Sequence, residues 1–305
     1  MSLMNRIELL IETRNLLARA GFYCSQICNI RPSSFDFVAR KDNLLFIIKV
    51  LNNVDAISQD VANELLSVAK YLEGVPIVIG RRSSFSILDD DVVYFRHGVP
   101  IMTYETLKNY LQGMPLVICA APGGFYVNID GEQLRQMRME QGISIGQLAR
   151  VAGVSRRAIR MYEDGERATI EVAEKMAEFL GDDFIKPIDL MKVVEKEEIE
   201  IKEIENEIFS ILEEIGAFVL PTTRSPFHAI GEVIKERFIV GINERRIKEK
   251  ARLVFNLSKV VEKHSVLFLE SCTKKNIEGV PVIEKDELKR IDEPEKLIEL
   301  ILERK

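Results

Sequence analysis

The stretch "LRQMRMEQGISIGQLARVAGVSRRAIRMYEDGERATIEVAEKMAEFLG", residues 134–181, carries the most specific structural signal in the chain. Ser144 precedes an apolar run and has Gln147 three residues later, which is the spacing of a capping box at the start of a helix. Gly153 is placed to end that helix, and Ser155 to cap the next one. The spacing therefore predicts two short helices joined by a tight turn.

The second helix of this pair has two chemically different faces. On a helical wheel at about 100° per residue, with Arg156 at zero, Arg160 falls at about 40° and Arg157 at about 100°. The apolar side chains lie between about 200° and 300°: Ala158, Ile159 and Tyr162. A helix N-terminus attracts phosphate, and arginine can bind a guanine edge through two hydrogen bonds. The pattern favours a DNA-contacting face, with a merely solvated face as the alternative.

Residues 134–181 resemble the Cro/lambda-repressor type of helix-turn-helix. The resemblance rests on Leu134, Arg138, Ser144, Leu148-Ala149, Gly153-Val154-Ser155, Ile159, Tyr162-Glu163-Asp164-Gly165 and Arg167. It implies base and phosphate contacts from the three arginines of the second helix. The full set of candidate DNA-binding residues is Ser144, Gln147, Arg150, Ser155, Arg156, Arg157, Arg160 and Arg167. The family commonly has Gln directly after the first cap; Ile145 stands there instead, so Gln147 is expected to reach that phosphate in its place.

The charge balance limits how the chain can bind nucleic acid. Its 305 residues include 42 Lys+Arg and 48 Asp+Glu, a net charge of −6, which excludes a globally basic coat but not a local basic surface. Residues 130–180 hold 8 Lys+Arg against 9 Asp+Glu. We therefore expect modest nonspecific affinity, and a homodimer whose two heads bind double-stranded DNA about one helical turn apart.

Composition also excludes several other classes of protein. No stretch of about 18 uncharged apolar residues is present, so no membrane partner is expected. The N-terminus lacks a signal-peptide core, and four cysteines are too few and too scattered for a disulfide framework. These features predict a cytoplasmic protein with reduced thiols. No cofactor motif occurs, since Pro122-Gly123-Gly124 is not followed by the Gly-Lys-Ser/Thr of a phosphate loop.

An internal repeat flanks the helical centre. Four segments recur in the same order: "AGF" at 20–22 and "IGA" at 215–217, "SSF" at 33–35 and "SPF" at 225–227, "FIIKV" at 46–50 and "FIVGI" at 238–242, and "GVPIMTYETLKNYL" at 98–111 and "GVPVIEKDELKRID" at 279–292. The fold class predicted is therefore α/β plus all-α. Three domains are expected: an α/β module at 4–115, a helix-turn-helix domain at 128–183, and a linker helix with a second α/β module at 188–305.

Short apolar runs predict the elements of the first module. Strands are expected at 35–39, 44–51, 75–79, 92–95 and 99–102, with helices at the N-terminus, at about 56–72 and at 104–111. Residues 115–127 are interpreted as a linker without regular structure. Val194, Ile201, Ile208 and Ile215 recur every seven residues, with Ile204 and Ile211 partly filling the second position. Two interpretations remain open for them: a connecting helix packed on its own domain, or a dimer seam.

The N-terminal module resembles the restriction-endonuclease-like fold shared with archaeal junction resolvases. That resemblance implies a metal site of Asp, then Asp/Glu-x-Lys. Asp36 and Lys49 match it, but Ile47 stands at the second carboxylate position. A hard divalent cation needs both carboxylates. At the aligned positions of the second module stand His228 and Gly241, so that module is degenerate. The prediction is an inactive module without catalytic or metal-binding residues.

The remaining chemistry-bearing residues give weak signals. Cys24 and Cys28 are spaced C-x3-C without a second ligand pair, which favours ordinary thiols over a metal site. The three histidines, His97, His228 and His264, are isolated in sequence.

The overall arrangement is similar to an archaeal family of helix-turn-helix transcriptional regulators. The resemblance implies a sequence-specific, homodimeric DNA-binding regulator and no enzyme. Two alternatives stay open: a divergent metal-dependent nuclease targeted by its helix-turn-helix, and an antitoxin-like regulator whose main partner is a protein. An unknown effector is a further partner left open.

Overall fold

The computed structural model describes residues 5–28, 33–196, 204–242 and 246–305. The chain packs into two compact units. The first unit combines Met1–Leu51, Ala56–Ile77 and Val194–Lys305, so that it draws on both ends of the chain. The second unit combines Asn52–Asp55 with Val78–Val193.

The first elements predicted for the N-terminal region, up to the start of β4, form in the first unit. A capping box at Asn5 starts the first helix, in which the Asn5 side chain accepts from the backbone N–H groups of Ile7 and Glu8. Strand β2 pairs antiparallel with β1 and β3. The elements are α1 (Arg6–Arg19), β1 (Tyr23–Cys24), β2 (Phe37–Lys41), β3 (Leu44–Val50), α2 (Gln59–Leu72) and the first three residues of β4 (Val75–Ile79).

The second unit continues from the end of β4 into the helix-turn-helix. Its elements are β5 (Val92–Arg96), β6 (Val99–Met102), α3 (Tyr104–Leu111), β7 (Ile118–Ala121), β8 (Gly124–Ile129), α4 (Gly131–Glu140), α5 (Ile145–Ala152), α6 (Arg156–Glu163), β9 (Ala168–Thr169), α7 (Ile170–Leu180), β10 (Ile185–Lys186) and the start of α8 (Leu190–Lys196). Strand β6 runs parallel to β4 and antiparallel to β5, and β5 runs parallel to β7. Strand β8 pairs antiparallel with β7, β9 and β10.

The interpretation of residues 115–127 as a linker without regular structure is wrong. These residues contain β7 and most of β8, which pair as a hairpin from Ile118↔Val127 to Ala121↔Gly124. Pro122 and Gly123 form its two-residue turn, and Gly123 has φ +97°. Proline followed by a residue of positive φ is the sequence of a type II turn. The Pro-Gly pair therefore joins two strands instead of separating two domains.

Four helices of the second unit surround one apolar core, as the periodicity predicts. Helices α4, α5, α6 and α7 each contribute buried side chains, and Phe184 closes the core from the following loop. The fully buried members include Leu134, Leu148, Ile159 and Met176. Strands β8, β9 and β10 border this core.

Among its described residues, the C-terminal part of the first unit contains a mixed sheet and four helices. Its elements are α9 (Glu207–Glu214), β11 (Phe218–Pro221), β12 (Ala229–Val233), β13 (Glu236–Ile242), α10 (Ile247–Val261), β14 (His264–Leu269), β15 (Asn276–Ile277), β16 (Val280–Glu284), α11 (Lys285–Leu288) and α12 (Pro294–Glu303). Strand β12 pairs antiparallel with β11 and β13. Strand β14 lies parallel between β13 and β16, and β15 pairs antiparallel with β16.

The seven-residue repeat in the connecting region packs on its own domain. Ile208, Ile211 and Ile215 are buried in the core of the C-terminal sheet, and Ile204 packs against it. A dimer seam needs these side chains on an open face, so that interpretation is wrong for the described part of the repeat. The side chain of Val194 and the whole of Ile201 lie outside the described residues.

Candidate nucleic-acid interface

Helix α5 begins and ends where its cap residues predict. The Ser144 hydroxyl accepts from the Gln147 backbone N–H at 3.2 Å, and the Gln147 carboxamide oxygen accepts from the Ser144 N–H at 2.8 Å. This completes the predicted capping box. Gly153 ends the helix in the left-handed conformation at φ +70°. Because the Gln147 oxygen is used in the cap, its NH₂ group is the part that can donate to a phosphate.

Helix α6 begins at the second predicted cap. The Ser155 hydroxyl accepts from the Ala158 backbone N–H at 3.1 Å. Ile159 is fully buried, and Val154 and Tyr162 pack partly against the same core. The apolar face of the helix therefore anchors it on α4 and α5, and its opposite face is directed away from the core.

The three arginines of α6 lie on that opposite face. Arg156, Arg157 and Arg160 are all exposed. Within the described part of the chain, no ion pair or hydrogen bond engages their guanidinium groups. Their charges are thus available to a ligand, and the first turn of the helix adds backbone amides that favour phosphate.

Gly146 brings one of these arginines beside the start of α5. A β-carbon at Gly146 would lie 3.1 Å from Nε and 3.2 Å from Nη2 of Arg156. The missing side chain therefore makes room for the guanidinium against the first turn of α5. A cation and the free amides of a helix N-terminus lie side by side there, which suits a phosphate oxygen. Sequence reasoning did not assign Gly146 a role, although a glycine inside a helix is itself a signal of close approach.

The other predicted DNA-binding residues have different surroundings. Ser144, Gln147, Arg150, Ser155 and Arg167 are all exposed. Arg150 donates through Nε to the Gly146 carbonyl at 3.3 Å, which holds it close to α5. Arg167 donates to the Cys119 sulfur at 3.8 Å, so it is tied to β7. Ile145 packs partly into the core, and its side chain has no polar atom for a phosphate.

A buried ion pair joins the first helix of this domain to the end of α6. Arg138 Nε lies 2.5 Å from Glu163 Oε1, and the two side chains are 10% and 9% exposed. Arg138 also donates to the Ile143 carbonyl at 2.8 Å. Gly131 allows the close crossing, because a β-carbon there would lie 2.3 Å from the Glu163 carbonyl oxygen. These residues position α6 without facing a ligand.

The nuclease-like residues of the N-terminal region form a closed polar cluster. Asp36 is fully buried; its Oδ1 lies 2.6 Å from Arg6 Nη2, and its Oδ2 accepts from the Val50 N–H at 2.7 Å. Arg6 also donates to the Val50 carbonyl at 2.8 Å. Lys49 donates to the Ser33 carbonyl. Both Asp36 oxygens thus already have partners in the chain.

The second carboxylate position of that site is apolar. Ile47 is fully buried in β3. In residues 5–28, 33–196, 204–242 and 246–305, no group of three or more His, Cys, Asp or Glu side chains is arranged to hold a metal ion. In the C-terminal sheet, His228 Nδ1 accepts from the Ile242 N–H at 2.9 Å. In the N-terminal sheet, Asp36 accepts the corresponding hydrogen bond from the Val50 N–H. Asp36 and His228 therefore share a structural role at the end of a strand.

Burial shifts the pKa values of Cys24, Cys28 and His264. Burial raises the pKa of the Cys28 thiol to about 12, and the nearby Asp36 carboxylate acts in the same direction. Burial also raises the pKa of Cys24, whose thiol donates to two backbone carbonyls. Burial lowers the pKa of His264, and the Lys305 charge adds to this.

No helix among the described residues has the length and apolar character needed to cross a bilayer.

Comparisons with known proteins match two regions of the chain to family models. Residues 6–116 match the PD-(D/E)XK superfamily domain, and residues 134–182 match a helix-turn-helix model. Both families agree with the resemblances that the sequence motifs carry. No solved structure matches the chain.

Full-length relatives come from archaea. A protein of Methanococcoides burtonii is 38% identical over 95% of this chain and 94% of its own length. Its name is "Putative HTH-type transcriptional regulatory protein". Proteins of Archaeoglobus fulgidus and Halobacterium salinarum whose names begin with the same words are each 35% identical; they cover 95% and 99% of this chain and 95% and 98% of their own lengths.

Proposed function

Because the chain belongs to this archaeal family of HTH-type transcriptional regulatory proteins, we propose that it is a sequence-specific double-stranded DNA-binding regulator that acts as a homodimer. The observation that carries the proposal is the exposed face of α6. Its three arginines are open to a ligand while Ile159 anchors the opposite side. Arg156 and Arg157 contact bases and phosphate in the major groove, and Arg160 follows one turn later along the same face.

The phosphate contacts come from the start of α5 and its neighbours. Ser144 and Gln147 offer a hydroxyl and an amide NH₂, and Arg156 lies against the same turn. Arg150, Ser155 and Arg167 extend the surface at its edges. Because acidic residues dilute the positive charge of the domain, specific base contacts must supply much of the affinity. A second head on the same duplex supplies the rest, which is the reason for the homodimer.

The test begins with selection of bound sites from random duplexes at a fixed salt concentration. A motif with two-fold symmetry supports both sequence specificity and a dimer. On that duplex, the double variant Arg156→Ala/Arg157→Ala should bind about 30-fold or more weakly, from about 1–3 kcal/mol per base-reading arginine. Its melting temperature should stay nearly unchanged, because both side chains are exposed.

The matched control removes the same charge elsewhere. Arg19 and Arg290 are exposed and lie outside the helix-turn-helix. Arg19→Ala/Arg290→Ala should therefore bind as the parent does. Equal binding by both double variants would overturn the proposed role of α6, and equal weakening by both would reduce it to nonspecific charge attraction.

A second candidate function is a metal-dependent nuclease, which the PD-(D/E)XK match over residues 6–116 favours. Against it stand Ile47 at the second carboxylate position and the Arg6 partner on Asp36. We propose that the module is not catalytic. Branched and linear DNA incubated with Mg²⁺ or Mn²⁺ should stay intact. Cleavage that disappears in Asp36→Asn would instead establish the nuclease.

The C-terminal part of the first unit is, in this proposal, a second and degenerate nuclease-like module. The strands of the two regions pair in the same way, which supports it. Strands β1, β2 and β3 pair antiparallel in that order, as β11, β12 and β13 do. Strand β6 lies parallel to β4 and antiparallel to β5, as β16 lies parallel to β14 and antiparallel to β15. The Asp36 and His228 acceptors also occupy aligned positions. The two modules thus flank the helix-turn-helix along the sequence, with an effector or protein partner as a further candidate ligand.

A further inference from the structure

The two ends of the chain meet in the first unit through aligned segments. We call α1, β1–β3 and α2 the N-terminal module, and residues 207–305 the C-terminal module. Residues 35–50 align with 227–242, as the repeated "SSF"/"SPF" and "FIIKV"/"FIVGI" segments indicate. Helices α2 and α10 both end at a glutamate in the left-handed conformation, Glu73 at φ +57° and Glu262 at φ +56°. These alignments allow the contacts to be compared position by position.

One pair of equivalent residues meets at the centre of this contact. The rings of Phe35 and Phe227, which are aligned, lie 6.3 Å apart between centroids. Next to them the Ser34 N–H donates to the Arg224 carbonyl at 2.7 Å, and the hydroxyls of Ser34 and Ser225 are 3.1 Å apart. Self-pairing of equivalent residues is what occurs on the axis of a two-fold interface.

Away from the centre, an arginine of the N-terminal module caps a helix of the C-terminal module. Arg40 of β2 donates to the Val260 carbonyl at 2.8 Å and to the Val261 carbonyl at 3.0 Å. Its guanidinium also lies 3.5 Å from the Glu262 carboxylate. The last carbonyls of α10 thus receive donors from another part of the chain.

The reverse contact is also present. Arg237 of β13 donates to the Tyr71 carbonyl and to Glu73 Oε1, both at 2.9 Å, at the end of α2. Arg237 pairs across its hairpin with Glu232, which aligns with Arg40. Each module therefore caps the long helix of the other with an arginine from the same cross-strand pair of its β-hairpin, although the two arginines lie on opposite strands of that pair.

A second reciprocal pair involves the segments that follow the edge strands. Gln26 lies two residues after β1, and its N–H donates to Asn256 Oδ1 of α10 at 2.6 Å. Thr223 lies two residues after β11, and its N–H donates to Glu64 Oε2 of α2 at 2.8 Å. Contacts that occur in both directions define an isologous interface, the kind formed by two copies of one subunit.

We infer that the C-terminal module occupies, within the same chain, the surface of the N-terminal module that fits a second copy of it. The chain is an internal pseudo-dimer of its α/β modules. A second polypeptide is excluded from this surface, because Phe35, Arg40 and Glu64 already have partners there. The homodimer of the proposed function consequently forms through other surfaces, and the inference does not depend on DNA binding.

A designed cysteine pair tests this arrangement in the full-length protein. The Ser34 and Ser225 hydroxyl oxygens are 3.1 Å apart, so sulfur atoms at these positions can reach the roughly 2.0 Å of a disulfide with a small shift. The variant S34C/S225C should form a disulfide within one chain on mild oxidation. Non-reducing gels should show a faster-migrating monomer, and peptide mapping should find the 34–225 bridge.

Each outcome has a defined meaning. The single variants S34C and S225C control for reaction with the four native cysteines. A 34–225 bridge between two chains would show that the modules pair in trans and would overturn the inference. Absence of the bridge under conditions that oxidise exposed thiols would overturn it as well, provided that circular dichroism shows the variant folded. DNA binding measured on the same samples reports on the proposed function separately.

Discussion

Replacing Glu163 by glutamine removes the carboxylate that neutralises buried Arg138. With side chains only 10% and 9% exposed and 2.5 Å between the charged atoms, water screens this pair little. Charge centres about 4 Å apart attract by about 4 kcal/mol at an effective dielectric constant near 20. Breaking one side of a buried pair costs about 3–5 kcal/mol. Glutamine keeps a neutral acceptor, which restores about 1 kcal/mol.

The expected loss in Glu163→Gln is therefore about 2–4 kcal/mol, concentrated in α4 and α6. Chemical denaturation measures the loss, and hydrogen exchange of the backbone amides of these helices shows where it falls. Glu166→Gln is the matched control, since it removes the same charge from an exposed position three residues later. The apolar double variant Arg138→Met/Glu163→Leu should recover much of the stability. A loss below about 1 kcal/mol in Glu163→Gln would refute the reasoning, because it would mean that the pair behaves as a solvated one.

Three further predictions concern other contacts. Gly131→Ala places a β-carbon 2.3 Å from a backbone carbonyl of α6 and should destabilise the helix-turn-helix by about 1–3 kcal/mol in chemical denaturation. The Arg304 guanidinium lowers the pKa of Glu287 to about 2. The stability that this pairing adds is therefore present above the ordinary pKa near 4.5 and is lost as pH falls towards 2. Glu287→Gln should accordingly flatten the acid-unfolding curve followed by circular dichroism. Arg6→Ala leaves the fully buried carboxylate of Asp36 without its guanidinium and should cost about 3–5 kcal/mol in urea unfolding.

Each of these variants has a matched control. Gly146→Ala meets only the flexible Arg156 side chain, so it should fold normally, and equal destabilisation by both glycine variants would contradict the backbone clash. Glu295→Gln, at an exposed position of α12, should leave the acid curve unchanged. Arg19→Ala removes an exposed guanidinium from α1 and should be nearly neutral; an equal loss in Arg6→Ala and Arg19→Ala would contradict the role given to the buried pair.

Local signals account for what the sequence predicts well. The caps at Ser144 and Ser155 act within four residues, so the boundaries of α5 and α6 follow from spacing. The α6 wheel likewise predicts the buried Ile159 and the exposed arginines. The sequence does not predict the hairpin β7–β8, because its Pro-Gly turn has the pattern of a break between domains and because its pairing with β5 joins residues about 25 positions apart.

Contacts between distant segments account for the rest. Asp36 is recognisable from its motif, but its partner Arg6 lies 30 residues away in a helix and belongs to no motif. The arginine caps of α2 and α10 join residues more than 160 positions apart, through backbone carbonyls that every residue carries. No spacing rule encodes such a bond. The repeat indicates that the two modules are alike, but not that they contact each other.

Residence on a single polypeptide changes the thermodynamics of that contact. Two separate subunits dissociate on dilution, whereas tethered partners face each other at an effective concentration of about millimolar, whatever the amount of protein. Hydrogen bonds such as those from Arg40 and Arg237, each about 1–3 kcal/mol, suffice under these conditions although they would be too weak to hold two free chains at nanomolar levels. The α/β core of the first unit thus stays assembled at any protein concentration, and its internal contacts do not depend on a second chain.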